Sequence, residues 1–308
     1  MRRRYLLWLS LSALLLGWLL VEQTAMVPEP DTATETPPEA AADSYAAYYA
    51  ALEQDTELAL YRQNQFLTRE LSALQPGNPD AVELYFLGIA GDGSQEVFRR
   101  EVETIRTQLD RDFATADRSL LLVNSRTTTT QLPLATSTSI ETALKGLAAI
   151  MNPEQDILFL YLTSHGSEQH ELVLHHDGFA LPDLSATRLA GLLQSLPVKW
   201  KVIMISACYS GGFIAPLKNE HTMIMTAARA DRQSFGCSDT ATMTYFGRAY
   251  FQEALPLAHS FSDAFARARQ HISNWEAEFE QQSLPQIHAP DAIRAQLDRW
   301  AESQGVFE

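Results

Sequence analysis

Two short stretches of the chain carry residue types that do chemistry together. "YLTSHG" ends in His165-Gly166, and "KVIMISACYSGGF" carries Cys208 where an apolar run breaks into Ser-Gly-Gly. An imidazole that shares a thiol's proton turns a weak nucleophile into a thiolate able to attack a carbonyl carbon. Cys208 stands at the exit of its run, not among Val202, Ile203, Met204 and Ile205, so its sulfur is presented to solvent instead of packed. Gly166 and Gly211-Gly212 leave the backbone bare there, and peptide N–H groups can approach a developing oxyanion. A lone histidine after a strand is ordinarily a loop residue, and a lone cysteine near glycine is ordinarily structural. Their joint appearance, each at a strand exit and each beside glycine, points to a dyad.

The elements that must position this pair follow from hydrophobic periodicity. "VELYFLGIAG", "SLLLVN", "DILFLYLTSHG", "KVIMISAC" and "TMIMTAA" are short apolar runs. Between them lie helical spacings: "SQEVFRREVETIRTQLDRDF", a helix with Ile140, Ala143, Leu144, Leu147 and Ile150 on one face, and a third marked by Leu189, Leu192, Leu193 and Leu196. Thr138 and Glu141 read as the capping box of the second. Apolar strands alternating with amphipathic helices predict an α/β domain with a parallel sheet covered on both faces, over residues 80–308. Sites in such sheets form beyond the carboxyl ends of the strands. Neighbouring strands lie about 4.8 Å apart, so His165 and Cys208 fall within reach of one another if their strands adjoin.

Ahead of this domain the organisation differs. "MRRR" precedes the uncharged run from Tyr5 to Val21, about 26 Å long as a helix at ~1.5 Å per residue. Residues 1–25 therefore read as a transmembrane signal anchor, or as a removed signal, with everything from Glu22 onward exported. Residues 26–43, rich in Pro, Glu, Ala and Thr, read as a flexible linker. Residues 44–79 read as an amino-terminal helix with Leu60, Leu67, Leu71 and Leu74 in one stripe, stopped by Pro76-Gly77. The expected location is the inner (cytoplasmic) membrane, single-pass, with the working domain on the extracytoplasmic side, or secretion if the signal is cleaved. A net charge of −15 argues against nucleic acid as a partner, which demands a basic face. Two cysteines in an oxidising compartment ordinarily invite a disulfide, here between Cys208 and Cys237.

"YLTSHG" followed by "ISACYSGGF" resembles the legumain family of cysteine peptidases, which share the caspase-like fold. "TAARADRQSFGCSD" is similar to that family's next conserved stretch, and the resemblance runs from near Leu84 to around Ile287. It implies a caspase-like three-layer sandwich, in a bacterial-type membrane-anchored member, with a mostly parallel central sheet. It implies Cys208 as nucleophile, His165 as general base and acid, and the amides of Gly166 and Cys208 as oxyanion donors. It also implies a substrate-binding pocket with Arg99, Ser206 and Asp239 at the P1 side chain, and a peptide or protein as substrate. Two positions depart from the family. Val97 stands where legumains have an asparagine that orients the histidine, and Ser206 stands where they have an acidic residue, so an asparagine preference does not carry over. Cys237 sits where relatives also carry a cysteine, which weighs against the disulfide. The family resemblance extends to the glycolipid-anchor transamidase, in which an amine resolves the same thioester. Transamidation is thus the alternative to hydrolysis, with an inactive peptide-binding scaffold as a third reading.

The remaining candidates carry less. His175-His176-Asp177 lacks a further ligand at metal-binding spacing, so neither metal nor cofactor is expected. "GDGS" (91–94) lacks the Lys-Ser/Thr of a phosphate loop and reads as a turn over the active edge. The Gly-x-Ser-x-Gly elbow of serine hydrolases is absent around Ser206 and Ser210. The loop from Ser125 to Ser137 follows a strand's carboxyl end and reads either as a substrate-facing wall or as a connector.

Overall fold

The computed structural model describes residues 39–307, with side chains from residue 44 onward. The anchor expected over 1–25, and all but the last residues of the linker expected over 26–43, lie outside the described residues. Among the described residues no helix is long and apolar enough to cross a membrane. The chain divides into two units, 1–45 and 46–308. Of the first, only the opening of helix α1 (Glu39–Ala73) is described.

Six strands form the central sheet: β1 (Leu84–Ala90), β2 (Ser119–Val123), β3 (Ile157–Thr163), β6 (Trp200–Ser206), β7 (Thr222–Thr226) and β8 (Gln286–His288). A separate two-stranded ribbon, β4 (Glu171–Leu172) with β5 (Leu184–Ser185), follows β3. The order across the main sheet is β2-β1-β3-β6-β7-β8; all pairs are parallel except the antiparallel edge strand β8. The first five of these strands are buried throughout, as mostly apolar strands covered on both faces are.

Alternation along the strands divides the core in two. Phe86, Phe159, Tyr161, Val202 and Met225 meet helices α2 (Glu96–Asp112), α5 (Phe261–Trp275) and α6 (Asp291–Gln304). Tyr85, Leu87, Leu160, Leu162 and Ile203 meet α3 (Ser137–Ile150) and α4 (Ala186–Gln194) on the other face. The result is helix, sheet and helix in three layers. Because α2 carries the chain from β1 to β2 and α3 carries it back across to β3, the winding reverses between β1 and β3. That reversal opens a crevice beyond the carboxyl ends of those two strands.

Two local expectations are corrected. The capping box of α3 is Thr136 with Ser139, not Thr138 with Glu141: Thr136 takes the Ser139 amide, and Ser139 Oγ takes the Thr136 amide. Glu141 lies a turn further in, paired with Lys145 and Arg188. In α1, Leu67 is buried but Leu60 is 66% exposed. The inward positions over that turn are Ala59 and Gln63, and Gln63 reaches the backbone of Thr129 and Leu134.

Candidate active site

The site begins with register. Thr163 of β3 pairs with Ser206 of β6, so His165 and Cys208 each stand two residues past a matched pair on adjoining parallel strands. Ser164 N–H donates to Ser206 O at 3.2 Å, which extends the match past the last ladder pair. Gly166 then passes against the backbone of Cys208. A Cβ added at Gly166 would lie 2.2 Å from Cys208 O and 3.2 Å from its carbonyl carbon, so only glycine fits. Among the described residues, neither the Gly166 nor the Cys208 amide donates to a protein acceptor, which leaves both N–H groups available to a bound oxygen.

The histidine ring is held from α2. His165 Nε2 lies 3.0 Å from Gln95 Oε1, and Phe98 meets the ring edge-on with centroids 5.2 Å apart. Cys208 is half-buried, with the Ser234 amide donating to its sulfur at 3.3 Å and Ser234 O and Oγ each at 3.7 Å. These contacts fix the sulfur against the Ser234 segment. Directly after Cys208 the chain turns through Tyr209, whose φ of 56° and ψ of 16° lie in the left-handed region that side chains rarely adopt. Tyr209 N–H donates to Arg232 O at 2.7 Å and so fixes this turn to the segment that carries Ser234. Strained non-glycine backbone of this kind concentrates where a side chain has to be presented.

Both cysteines are free. Burial pushes the Cys237 thiol up, and the neighbouring Cys208 pushes it further. The Cys208–Cys237 disulfide weighed from compartment alone is therefore not formed.

The three residues read as a P1 pocket are placed differently from one another. Ser206 is 2% exposed, with its hydroxyl 2.9 Å from Thr244 Oγ1; it lies beneath the cleft and not in its wall. Its strand runs full length into the core before the chain turns out, which keeps its last residue inside. Arg99 is paired on its own helix with Glu96 and with Glu103 at 2.7 Å, and so is not an unpaired cation facing a substrate. Asp239 is exposed, and its carboxylate accepts the Glu96 amide at the start of α2 at 2.8 Å. The arginine that reaches the Asp239 segment is Arg100, which donates to Asp239 O and to Ala241 O.

Beneath these groups lies a carboxyl that sequence reasoning passed over. Glu101 is completely buried on α2 and has no cation beside it among the described residues. Thr163 Oγ1 donates to one of its oxygens at 2.5 Å; Thr244 N–H and Oγ1 donate to the other at 3.0 and 2.7 Å. Burial pushes its carboxyl up, against the lowering effect of these bonds. It ties α2 to the end of β3, two residues before His165. A polar residue among the buried positions of "VFRREVETI" was the available signal. Gln95 and Ser234 carried none as strong.

The other sequence candidates serve structure. His176 is buried, with Nε2 2.7 Å from Thr129 Oγ1 and Nδ1 2.6 Å from Asp177 O, and burial pushes its imidazole down. Among the described residues no cluster of three His, Cys, Asp or Glu is arranged to hold a metal ion. Ser125 donates to Glu96 at 2.7 Å, and Gln131 O accepts from Arg69 of α1 at 2.8 Å, so the 125–137 loop is braced from two sides. A groove of about 620 Å³ beside β8, lined in part by Arg229, Arg269 and Glu276, contains neither His165 nor Cys208.

Comparison with known proteins bears on this geometry. A sequence model described as the Peptidase C13 family matches residues 137–295, a span that includes both His165 and Cys208. A search of curated proteins found no match. Among solved structures, the chain is similar to the crystal structure of caspase-1 from Spodoptera frugiperda, at 13% identity and a TM-score of 0.48, over 70% of this chain and 93% of that one.

Proposed function

The chain belongs to the Peptidase C13 family of cysteine peptidases, and we propose that it is an endopeptidase working through a His165/Cys208 dyad. The observation that supports this reading is the Thr163–Ser206 register, which puts His165 and Cys208 each two residues past a matched pair on adjoining strands. In the proposed reaction the Cys208 thiol passes its proton to the His165 imidazole, and the sulfur attacks the carbonyl carbon of the substrate peptide. The oxyanion formed is held by the amides of Gly166 and Cys208. The imidazolium returns the proton to the leaving amine as the C–N bond breaks, which leaves a thioester on Cys208. Water, deprotonated by the imidazole, attacks the thioester and releases the carboxylic acid and the thiol.

The partner is a peptide or protein chain, with Asp239 and the Arg99–Glu96 pair at the rim of the cleft. The domain works outside the cytoplasm, tethered by the amino-terminal apolar run; the uncharged length of Tyr5–Val21 behind three arginines supports that location.

The test is digestion of a mixed peptide library by the full chain and by Cys208→Ala, with products read by mass spectrometry in the presence and absence of hydroxylamine. Internal cleavage by the parent chain alone, giving free carboxyl termini, supports an endopeptidase. Products that are hydroxamates throughout indicate a transferase, and equal product patterns from both chains reject the dyad.

A further inference from the structure

Resting on the dyad reading above, we infer that Gln95 is the positioning residue of the catalytic histidine: it fixes the proton on Nε2 and leaves Nδ1 as the nitrogen that takes the Cys208 proton. A neutral imidazole carries one N–H, and the hydrogen bond made by that N–H decides which nitrogen keeps a lone pair. With an amide oxygen 3.0 Å from Nε2, the Nε2–H tautomer donates to it. The lone pair is then on Nδ1.

What singles out Gln95 is a local rule it breaks. It occupies the N-cap of α2 with extended backbone, φ −134° and ψ 123°, yet its side chain makes no cap hydrogen bond. N-cap positions favour Ser, Thr, Asp or Asn, whose short side chains reach back to the first free amides. Helices α3, α4 and α5 follow the usual rule, capped by Thr136, Ser185 and Ser260. At α2 the first-turn amide of Glu96 is taken instead by Asp239, a residue from a distant segment. The Gln95 side chain, engaged in no cap, reaches the ring instead. Local conflict of this sort marks positions kept for something other than folding.

The rest of the first turn completes the clamp. Phe98, three residues on and so on the same helical face, closes the ring's edge at 5.2 Å. Val97, where the family resemblance places an orienting asparagine, is fully buried in the core and cannot reach the ring. The amide arrives instead from two residues earlier, off the helix end. A neutral amide suits the task, because it orients the proton without adding a charge that would hold the imidazolium and slow its return of the proton.

The experiment uses the full chain, uniformly ¹⁵N-labelled at histidine, as parent, Gln95→Ala and Gln95→Glu. Long-range ¹H–¹⁵N spectra report the His165 tautomer without reference to activity, and kcat/KM against pH is measured on any peptide the parent cleaves. The inference predicts a single Nε2–H tautomer in the parent and a mixture in Gln95→Ala. It further predicts a fall of about 10- to 100-fold in kcat/KM for Gln95→Ala, chiefly in kcat. In Gln95→Glu the acid limb of the profile moves up by about one pH unit. Loss of a merely structural contact would lower activity without moving the profile. A parent Nδ1–H tautomer, an unchanged tautomer in Gln95→Ala, or an unmoved acid limb in Gln95→Glu overturns the inference. Gln95→Glu preserves side-chain size and remains readable if Gln95→Ala does not fold. If the parent cleaves nothing, the dyad reading fails on its own, while the tautomer spectra still decide the Gln95 assignment.

Discussion

Gly166→Ala probes the site at its tightest point. The added Cβ would sit 2.2 Å from the Cys208 carbonyl oxygen, whereas carbon and oxygen in ordinary contact stay about 3.3 Å apart. The two loops must therefore separate by about 1 Å, and neither is a flexible side-chain tip: the opposing atom is backbone that leads directly from the sulfur. A shift of that size at a reacting pair costs about 10²-fold in rate, or about 2.7 kcal/mol of transition-state stabilisation. Overpacking adds a stability cost of about 1–3 kcal/mol, which lowers Tm by several degrees without unfolding the chain. Gly191→Ala is the control, since a Cβ there meets nothing within 4 Å and a helical alanine is favoured over glycine. The assay is kcat/KM on a cleaved peptide, with Tm from thermal circular dichroism. Gly166→Ala with kcat/KM within threefold of the parent, at an intact Tm, would refute the claim that this backbone approach sets the dyad's spacing.

Other perturbations follow from the same arrangement. Glu101→Ala strands the donors of Thr163 and Thr244 in the core and is expected to cost about 3–5 kcal/mol in urea unfolding, while Glu101→Gln, which keeps an acceptor, costs visibly less; equal costs would sink the network. Lys201, buried at the start of β6, has its ammonium pulled down by burial to about 8 from 10.5. Between those values the unfolded chain binds more protons than the folded one, so stability rises with pH through the window, by about 3 kcal/mol at most. Lys201→Met should flatten the rise of Tm between pH 8 and 10 and be the more stable chain at pH 7; parallel Tm curves for the two chains speak against it.

The parallel part of the sheet was legible because β1, β2, β3, β6 and β7 are short, mostly apolar runs separated by helices with an apolar face, whereas the short edge strand β8, Gln286–His288, has no such run. His165 and Cys208 stood out because both stand at run exits beside glycine, and the β3–β6 register puts each two residues past the same matched pair. The pocket residues were less so. Whether a strand's last residue faces core or cleft depends on where the chain turns, and Ser206 turns out to lie inside. Arg99 has acidic neighbours three residues before it and four after, at Glu96 and Glu103, and these pairs engage it before any substrate does. Gln95 was invisible because its partner lies 70 residues away, and nothing in an isolated glutamine announces an imidazole. Only the failed cap, read together with Asp239, distinguishes it.

The account turns on proton sharing between the two side chains, and alkylation of Cys208 by iodoacetamide measures that directly. Rates from pH 6 to 10, for the full chain and for His165→Ala, are followed by mass spectrometry of the Cys208 peptide, with Cys237 as internal reference. At pH 6.5 Cys208 in the parent should react on the order of 100-fold faster than in His165→Ala, with the gap closing as hydroxide takes over deprotonation. Coincident Cys208 profiles across the whole range would contradict it.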